Sequence, residues 1–359
     1  MSDVRFMRRA LALARWGEGE TNPNPMVGCV VVRDGRIVGE GFHSRAGGPH
    51  AEALALERAG ERARGATLYV NLEPCSHRGR TPPCAPQVAL SGVRRVVAAM
   101  RDPNPLVRGR GLRLLRRRGV RVDVGVLEGA AARLNERFVT AARLDRPFVL
   151  LKAAVTLDGR IATARGDSKW ITSAAQRAAA RGLRRLHDAV LVGIETVLAD
   201  DPLLLPKPRT RRPFVRIVLD SRLRLPVTSR VVRTARREPV WVLCCKAAPS
   251  RRRALQAAGV VVLEVGGRAT RVPLRRALRL LRSRAIWSVM VEGGSEVLGA
   301  FLHERLFDQL ALFRAPLLLG GRGSRPAFGG PDPPRIADAL RLRPGMLPRG
   351  ASYELWYAP

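Results

Sequence analysis

Short apolar segments alternate with helical segments along this chain, and that alternation restricts its fold more than any other feature. Between residues 27 and 126, runs typical of buried strands are separated by stretches rich in Ala, Leu, Glu and Arg, which favour helix. This order predicts an α/β domain with largely parallel strand pairing. Asp34-Gly35 separates the first two apolar runs and predicts a hairpin there.

The alternation begins again after Arg146-Pro147, where we place a domain boundary. A single polar helix is expected just before it, over residues 130–143. The strands expected after it cover residues 149–156, 189–193, 216–220, 240–245, 260–265, 288–292 and 309–315, with helices at 174–186, 251–258, 274–284 and 295–304. The length of 359 residues suits two domains, at about 150 residues each. The sequence therefore predicts two α/β domains, residues 1–146 and 147–359.

The excess of basic residues makes nucleic acid a partner to consider, but the distribution of these residues does not favour it. The chain has 64 Lys and Arg against 30 Asp and Glu, a formal charge of +34. The basic residues are scattered arginines rather than the patch or stripe that nucleic-acid binding needs, so we expect no nucleic-acid partner. No run approaches the roughly 18 apolar residues of a membrane helix, and the N-terminus lacks a secretory signal. We expect a soluble, cytoplasmic protein without a membrane partner.

The sharpest chemical pattern combines His50-Ala51-Glu52 with Cys75 and Cys84. A catalytic zinc takes three protein ligands and leaves a fourth position open for water, whose pKa it lowers from about 16 toward 7. His50, Cys75 and Cys84 offer three donors, and Glu52 is spaced to exchange a proton with that water without being a ligand. Nucleobase deaminases carry this arrangement.

Other readings of the same residues stay open at this point. A structural zinc would need a fourth protein ligand, which would have to be His77, and would leave Glu52 without a task. The residues could also bind no metal. The usual deaminase spacing is Cys-x-x-Cys, whereas residues 76–83 separate the two cysteines here.

That wider spacing is informative, because the stretch PCSHRGRTPPC, residues 74–84, resembles the long zinc loop of the bifunctional deaminase–reductase family of riboflavin biosynthesis. The stretches NPNPMVGCV from Asn22 and DPNP from Asp102 agree with the same family, and the resemblance covers essentially the whole chain. It implies a cytidine-deaminase-like α/β/α domain in residues 1–146. In that domain His50, Cys75 and Cys84 would bind Zn²⁺, Glu52 would carry the proton, and Asn24 would face the pyrimidine. Arg78 and Arg80 would suit the substrate phosphate, since arginine binds a dianion bidentately.

The second half carries a weaker signal when its residues are taken alone. Glu292-Gly293-Gly294 follows an apolar run and precedes a helical segment. A helix N-terminus beside glycines can bind a phosphate, although a simple tight turn explains the pattern as well. The stretch KAAVTLDGRIA from Lys152 resembles the opening of the same family's reductase half, which implies a dihydrofolate-reductase-like α/β domain that binds NADPH.

Carried over by position, the resemblance implies one set of residues for the cofactor and one for the substrate. The NADPH set is Ala154, Trp170, Thr196, Asp200, Ser221, Gly294, Ser295, Glu296, Val297, Leu298, Gly299 and Ala300. The substrate set is Ser168, Arg184, Leu204, Lys207 and Glu292. One departure stands out, because the family's Leu-Thr-x-Arg is replaced by Leu204-Leu205-Pro206-Lys207. Lysine keeps the charge but loses the bidentate fork, so we expect weaker substrate binding or the use of Arg209.

The implied function has two steps. The first is zinc-dependent hydrolytic deamination of a diamino-ribosylamino-pyrimidinone phosphate, and the second is NADPH-dependent reduction of its ribosyl side chain to ribityl. The implied partner is this small-molecule pyrimidine ribotide, and the family also implies a homo-oligomer. Two alternatives are a deaminase of the tRNA-adenosine type and an RNA-binding module with a structural zinc. The long zinc loop and the second α/β domain speak against the tRNA deaminase.

Overall fold

The computed structural model describes residues 3–77, 81–105, 107–267, 269–345, 347 and 350–359. Arg78 and Arg80, expected at the substrate phosphate, lie outside the described residues. The chain divides into two compact units, Met1–Asp145 and Arg146–Pro359. Each unit is built from alternating strands and helices, as the sequence predicts.

The first unit is a five-stranded sheet with helices on both faces, and its strand order is β2-β1-β3-β4-β5. Its helices and strands are α1 (Asp3–Arg15), β1 (Gly28–Arg33), β2 (Arg36–Phe42), α2 (Ala51–Ala59), β3 (Thr67–Val70), α3 (Cys84–Leu90), β4 (Arg95–Ala98), α4 (Arg110–Arg117), β5 (Arg121–Val124), α5 (Glu128–Leu134) and α6 (Glu136–Leu144). One hydrophobic cluster lies under α2, α3 and α4, and a second lies under α1, α5 and α6.

The strand pairing of this sheet differs from the largely parallel arrangement predicted for it. The hairpin at Asp34-Gly35 is present, but β1 is antiparallel to β3 as well as to β2, and only β3–β4 and β4–β5 are parallel. The reason is the order of the strands. Helix α2 returns the chain so that β3 runs in the direction of β2, but β1 lies between these two strands. The start of β1 therefore meets the ends of β2, β3 and β4 at one edge of the sheet.

Glycines let α2 approach the sheet closely at that edge. A Cβ atom on Gly39 would lie 2.1 Å from the carbonyl oxygen of Ala55, and one on Gly41 would lie 2.7 Å from that of Ala51. Any larger residue at these positions would push the helix away. The close packing fixes the N-terminus of α2, where His50 and Glu52 are found.

The polar helix predicted for residues 130–143 is two helices that meet at Asn135. The Asn135 side chain is buried and bonds both backbone groups of Met26. Its Oδ1 accepts from the Met26 amide at 2.8 Å, and its Nδ2 donates to the Met26 carbonyl at 2.9 Å. Sequence periodicity cannot reveal such a break, because the partner lies more than a hundred residues away. The contact anchors the segment that carries Asn24.

The second unit contains a nine-stranded sheet of order β11-β10-β9-β8-β12-β6-β13-β16-β15, and a small sheet formed by β14 and β7. Its strands are β6 (Phe148–Val155), β7 (Arg160–Ala162), β8 (Ala189–Gly193), β9 (Val215–Leu219), β10 (Val240–Cys244), β11 (Val261–Glu264), β12 (Ser288–Val291), β13 (Gln309–Arg314), β14 (Arg325–Pro326), β15 (Arg343–Pro344) and β16 (Glu354–Tyr357). Its helices are α7 (Ala174–Arg185), α8 (Ile194–Asp200), α9 (Arg230–Arg233), α10 (Pro249–Ala257), α11 (Leu274–Ser283) and α12 (Ser295–His303).

The predicted strands and helices of this unit are confirmed to within a few residues at each end. The elements not predicted are short, namely β7, α8, α9 and β14–β16, so they carry little hydrophobic periodicity. The first seven strands in this order, from β11 through β13, run parallel to one another. Strand β12 lies between β8 and β6. Ligands of open α/β sheets bind at the carboxyl ends of such strands. Across the described part of the chain, no helix is long and apolar enough to span a membrane.

Candidate active sites

Three metal-binding side chains meet at the edge of the first sheet where β3 ends. His50 immediately precedes α2, Cys84 is the first residue of α3, and Cys75 lies in the loop after β3. Their ligand atoms all lie within 4.8 Å of one another. The Nδ1 atom of His50 is 3.1 Å from Cys84 Sγ and 3.6 Å from Cys75 Sγ.

This geometry fits a tetrahedral zinc ion. Bonds of about 2.1 Å to nitrogen and about 2.3 Å to sulfur place two tetrahedral ligands about 3.6 Å apart. Among the residues that the structure describes, no further His, Cys, Asp or Glu joins the group. His77, the fourth ligand that a structural zinc would require, is exposed to solvent and outside the group. Three protein ligands with an open fourth position are what a catalytic zinc needs.

The pKa values of the two thiols shift in opposite directions. A hydrogen bond from Cys84, helped by His50, lowers the pKa of Cys75 to about 4 despite its burial. The same interaction and burial raise the pKa of Cys84. The backbone amide of Cys84 also donates to Cys75 Sγ at 3.3 Å. The lowered pKa favours the thiolate form of Cys75, the form in which cysteine binds metal.

Glu52 lies in the first turn of α2 beside these ligands and is buried, at 4 % exposure. Its Oε2 atom has no hydrogen-bond partner among the residues described here. Burial, and next the negative charge of Cys75, raise the pKa of Glu52 to about 7. A buried carboxylate oxygen without a hydrogen bond is costly. At this place it has the properties of a proton carrier, because it can gain and lose a proton near neutral pH.

Asn24 contacts His43, whose ring in turn contacts that of His50. His43 is a residue that the sequence did not single out. Asn24 Nδ2 is 3.1 Å from His43 Nε2, and His43 Nδ1 is 2.9 Å from the carbonyl oxygen of Pro49. Burial lowers the pKa of His43, so the ring is neutral, donates from Nδ1 and accepts at Nε2. Its ring also meets that of His50 edge to face, with the centroids 5.3 Å apart. The Asn24 amide nitrogen therefore donates to His43 Nε2.

Glu73, two residues before Cys75, is a second residue missed by the sequence analysis. Its buried carboxylate accepts four backbone N–H groups, at 2.8 Å from Gly109, 3.0 Å from Gly111, 3.2 Å from Asp102 and 3.3 Å from Leu112. Gly111 has to be glycine, because a Cβ atom there would lie 2.0 Å from the Pro74 carbonyl oxygen. Glu73 therefore fastens the loop that bears Cys75 to the N-terminus of α4.

We expect Glu73→Gln to lower the free energy of unfolding of the first unit by about 2–4 kcal/mol, because the amide loses the charge and turns an NH₂ group toward backbone donors. Glu40→Gln is the matched control. Glu40 pairs with Arg9 at a more exposed site, and such pairs contribute about 0–1 kcal/mol. The unfolding free energies of both variants are measured by urea titration of the full chain, with hydrogen exchange of residues 1–145 as a second measurement. Equal losses in the two variants would contradict this role of Glu73.

In the second unit, Arg184 and Glu292 pair with each other at the carboxyl end of β12. Arg184 Nη2 donates to Glu292 Oε2 at 2.8 Å, and Nε donates to the other carboxylate oxygen. The two side chains are 14 % and 9 % exposed. Although burial acts in the opposite direction, the charge of Arg184 lowers the pKa of Glu292. Arg184 Nη1 also donates to the Leu205 carbonyl at 2.9 Å, so it connects the two segments expected to contact the substrate.

Lys152 on β6 is a third residue that the sequence analysis did not place in a site. Burial lowers the pKa of Lys152, and the charge of Glu292 acts against this effect. Its Nζ lies 5.5 Å from the centre of the Phe313 ring. A signal was present in the sequence, because a lysine inside the apolar run 149–155 of a parallel strand is unusual.

Several of the residues expected at the cofactor surround the start of α12. Gly193 donates to the Gly293 carbonyl at 2.9 Å, and a Cβ atom on Gly294 would lie 3.6 Å from Thr196 Oγ1. Leu298 and Gly299 are buried, and a Cβ atom on Gly299 would lie 1.9 Å from the Gly329 carbonyl oxygen. The most exposed residue of this segment, Glu296, lies in the first turn of α12.

The remaining expected residues occupy different surroundings. Asp200 binds Lys169 at 3.0 Å, and the neighbouring Trp170 is exposed beneath the Arg177 guanidinium. Ser221 accepts from the Val272 amide at 3.2 Å. Leu204 is buried in a hydrophobic cluster, so any contact with a substrate would use its backbone. Ser168 and Ala154 are half-buried.

The two cations weighed for the substrate phosphate differ in the structure. Lys207 is exposed, and its amide donates to the Arg181 carbonyl on α7 at 3.3 Å. Arg209 forms an ion pair with Glu238. Lys207 is therefore the cation that remains available beside the segment bound by Arg184.

Comparison with known proteins gives matches in both halves of the chain. The family described as "RibD C-terminal domain" matches residues 147–345, and "Cytidine and deoxycytidylate deaminase zinc-binding region" matches residues 1–100. The riboflavin biosynthesis protein RibD of Aquifex aeolicus is 47% identical over 320 residues, 89% of this chain and 88% of that protein. RibD of Escherichia coli is 42% identical over 357 residues, 96% of this chain and 95% of its own.

Solved structures agree over nearly the full length. Acinetobacter baumannii RibD is 40% identical, with a TM-score of 0.90 over 99% of both chains. The Thermotoga maritima protein described as a diaminohydroxyphosphoribosylaminopyrimidine deaminase/5-amino-6-(5-phosphoribosylamino)uracil reductase is 39% identical, with a TM-score of 0.84 over 98% of this chain and 97% of its own. These similarities confirm the predicted fold class, with a cytidine-deaminase-like domain followed by a dihydrofolate-reductase-like domain.

Proposed function

Because this chain belongs to the RibD family of riboflavin biosynthesis, bifunctional enzymes with a deaminase and a reductase domain, we propose how its two halves divide the work. We assign hydrolytic deamination of a diaminopyrimidinone ribotide to residues 1–146. We assign NADPH-dependent reduction of the ribosyl side chain to residues 147–359. The substrate class follows that of the Thermotoga relative. We also propose that the enzyme works in the cytoplasm, without nucleic acid, and as a homo-oligomer.

The observation that carries the deaminase assignment is the group of His50, Cys75 and Cys84, with buried Glu52 beside it. We propose that these three residues bind Zn²⁺. When bound, zinc supplies a Lewis acid that lowers the pKa of water. Glu52 takes a proton from the attacking water and delivers it to the exocyclic amine. The pyrimidine carbon gains oxygen as its bond to nitrogen breaks, and ammonia leaves.

Asn24 serves in orientation rather than in proton transfer. His43 fixes its amide nitrogen, and Asn135 fixes the backbone of Met26 two residues later. The Asn24 amide oxygen is then available to accept a hydrogen bond from an N–H group of the pyrimidine. Holding the ring in one pose brings the amine-bearing carbon to the attacking water, which lowers the barrier without new chemistry.

In the reductase half, we propose that the paired side chains of Arg184 and Glu292 contact the substrate. The mutual hydrogen bonds of Arg184 and Glu292, with that of Arg184 to the Leu205 carbonyl, hold both side chains in place. We propose that NADPH binds over the first turn of α12, near Thr196, and supplies the hydride for the sugar carbon. The protein's part is to hold the two reactants together in a dry cleft.

Two assays test the proposal directly. One measures ammonia release from the diaminopyrimidinone ribotide, and the other measures NADPH oxidation that depends on the deaminated product. Activity in both assays is expected. A chain that deaminates tRNA, or binds RNA through zinc, while remaining inert toward the ribotide would contradict the proposal.

We expect Lys207→Ala to raise the reductase KM for the deaminated ribotide by about tenfold, since it removes one charge-assisted contact to phosphate. Arg209→Ala is the matched control, because Arg209 is engaged by Glu238 and should leave KM unchanged. Steady-state kinetics at saturating NADPH measure both. A KM that rises only in Arg209→Ala would show that Arg209 replaces the family's arginine, and no change in either variant would remove both cations from phosphate binding.

A further inference from the structure

Between Cys75 and Cys84, Thr81 lies beside the outer nitrogen of His50. Thr81 Oγ1 lies 2.9 Å from His50 Nε2, on the side of the ring opposite to Nδ1, which faces both sulfur atoms. Among the described residues, this hydroxyl is the hydrogen-bond partner of Nε2 in the structure. In a Cys-x-x-Cys loop the residue three before the second cysteine is the first cysteine itself, so a hydroxyl residue cannot occupy the place that Thr81 has here.

A histidine that binds metal through Nδ1 has its proton on Nε2. In zinc proteins that second N–H is usually donated to a carboxylate, a carbonyl or water, which fixes the tautomer and the plane of the ring. A threonine hydroxyl can accept such a bond, because its oxygen carries two lone pairs. Thr81 is half-buried, so the bond is partly protected from competing water.

We propose that Thr81 is a positioning residue that accepts the Nε2–H bond of His50 and so fixes the ring for metal binding through Nδ1. The proposal rests on the proposed zinc site, and it explains why the loop between the two cysteines is long. The loop supplies two parts of one centre, a cysteine ligand at Cys84 and, three residues earlier, the acceptor that orients the histidine ligand. The opposite tautomer would direct the Nδ1 proton at the sulfur atoms and remove the lone pair that the metal needs.

The test measures zinc affinity of the full chain by competition with a chromophoric chelator at one fixed pH. Thr81→Val keeps the shape and removes the hydroxyl, and we expect it to weaken zinc binding by about 10–100-fold. Thr81→Ser restores the hydroxyl and most of the affinity. Thr67→Val makes the same chemical change on β3, away from the site, and should leave zinc binding unchanged.

A spectroscopic readout separates positioning from a general effect on the loop. We expect the visible absorption of the Co²⁺-substituted chain to change in Thr81→Val and to return in Thr81→Ser, because the bands depend on ligand orientation. Thermal unfolding of the zinc-free variants checks folding, and if Thr81→Val is unfolded, the comparison of Thr81→Ala with Thr81→Ser decides. Wild-type zinc affinity and an unchanged Co²⁺ spectrum in Thr81→Val would overturn the inference. A wild-type chain that binds no zinc would instead contradict the proposed function.

Discussion

Cys84→Ser is expected to lose zinc and deaminase activity together while reduction continues. The serine hydroxyl is far less acidic than a thiol and does not replace the thiolate as a zinc ligand. The loss of affinity should exceed the ~10–100-fold caused by removing a hydrogen bond to a ligand. Metal analysis and ammonia release measure the two losses.

The reductase half is the internal control for this variant. NADPH oxidation with supplied deaminated ribotide should stay near the wild-type rate, because Cys84 lies in the first compact unit and the reductase residues in the second. If deamination survived the loss of zinc, the proposed centre would be wrong. If both activities disappeared, the variant would have lost more than its metal site.

Glu52→Gln is expected to keep zinc and lose deamination. The amide has nearly the shape of the carboxylate but cannot carry a proton from water to the leaving amine. Acid–base catalysis of this kind contributes about 10²–10⁴-fold, so kcat for ammonia release should fall by that factor. Zinc content should match the wild type, because Glu52 is outside the group of three ligands.

The same comparison separates a proton carrier from a metal ligand. A Glu52→Gln chain that also loses zinc would show the carboxylate to be a ligand. A chain that retains more than about a tenth of the wild-type kcat would show that the proton travels by another route, since this falls below the range of acid–base catalysis.

The sequence could predict the fold wherever one segment decides its own structure. The apolar run ending at Val32 and the turn at Asp34-Gly35 predicted the hairpin correctly. The largely parallel pairing predicted for this domain was wrong at β1, which is antiparallel to both of its neighbours, because strand order depends on which neighbour a returning strand meets and not on the strand itself. The break at Asn135 was missed for a similar reason, since its partner Met26 is distant in sequence.

The candidate site also contains some residues that the sequence could indicate and others that depend on contacts with distant segments. Residue types and the family resemblance together pointed to His50, Cys75 and Cys84, and the structure brings their ligand atoms within 4.8 Å of one another. The residues that support them could not be selected in this way. Glu73 and His43 are ordinary residue types whose roles come from contacts at 2.8–3.3 Å with segments elsewhere in the chain. Such contacts exist only after folding.

The central claim is a zinc ion with three protein ligands and a fourth position open to solvent. X-ray absorption at the zinc edge, with metal analysis of the wild-type chain and of His77→Ala, tests it most directly. One zinc per chain is predicted, with two sulfur neighbours at about 2.3 Å and two nitrogen or oxygen neighbours at about 2.0–2.1 Å, identical in both proteins. Loss of zinc in His77→Ala, or a wild-type spectrum with two imidazoles, would show a closed structural site and contradict the claim.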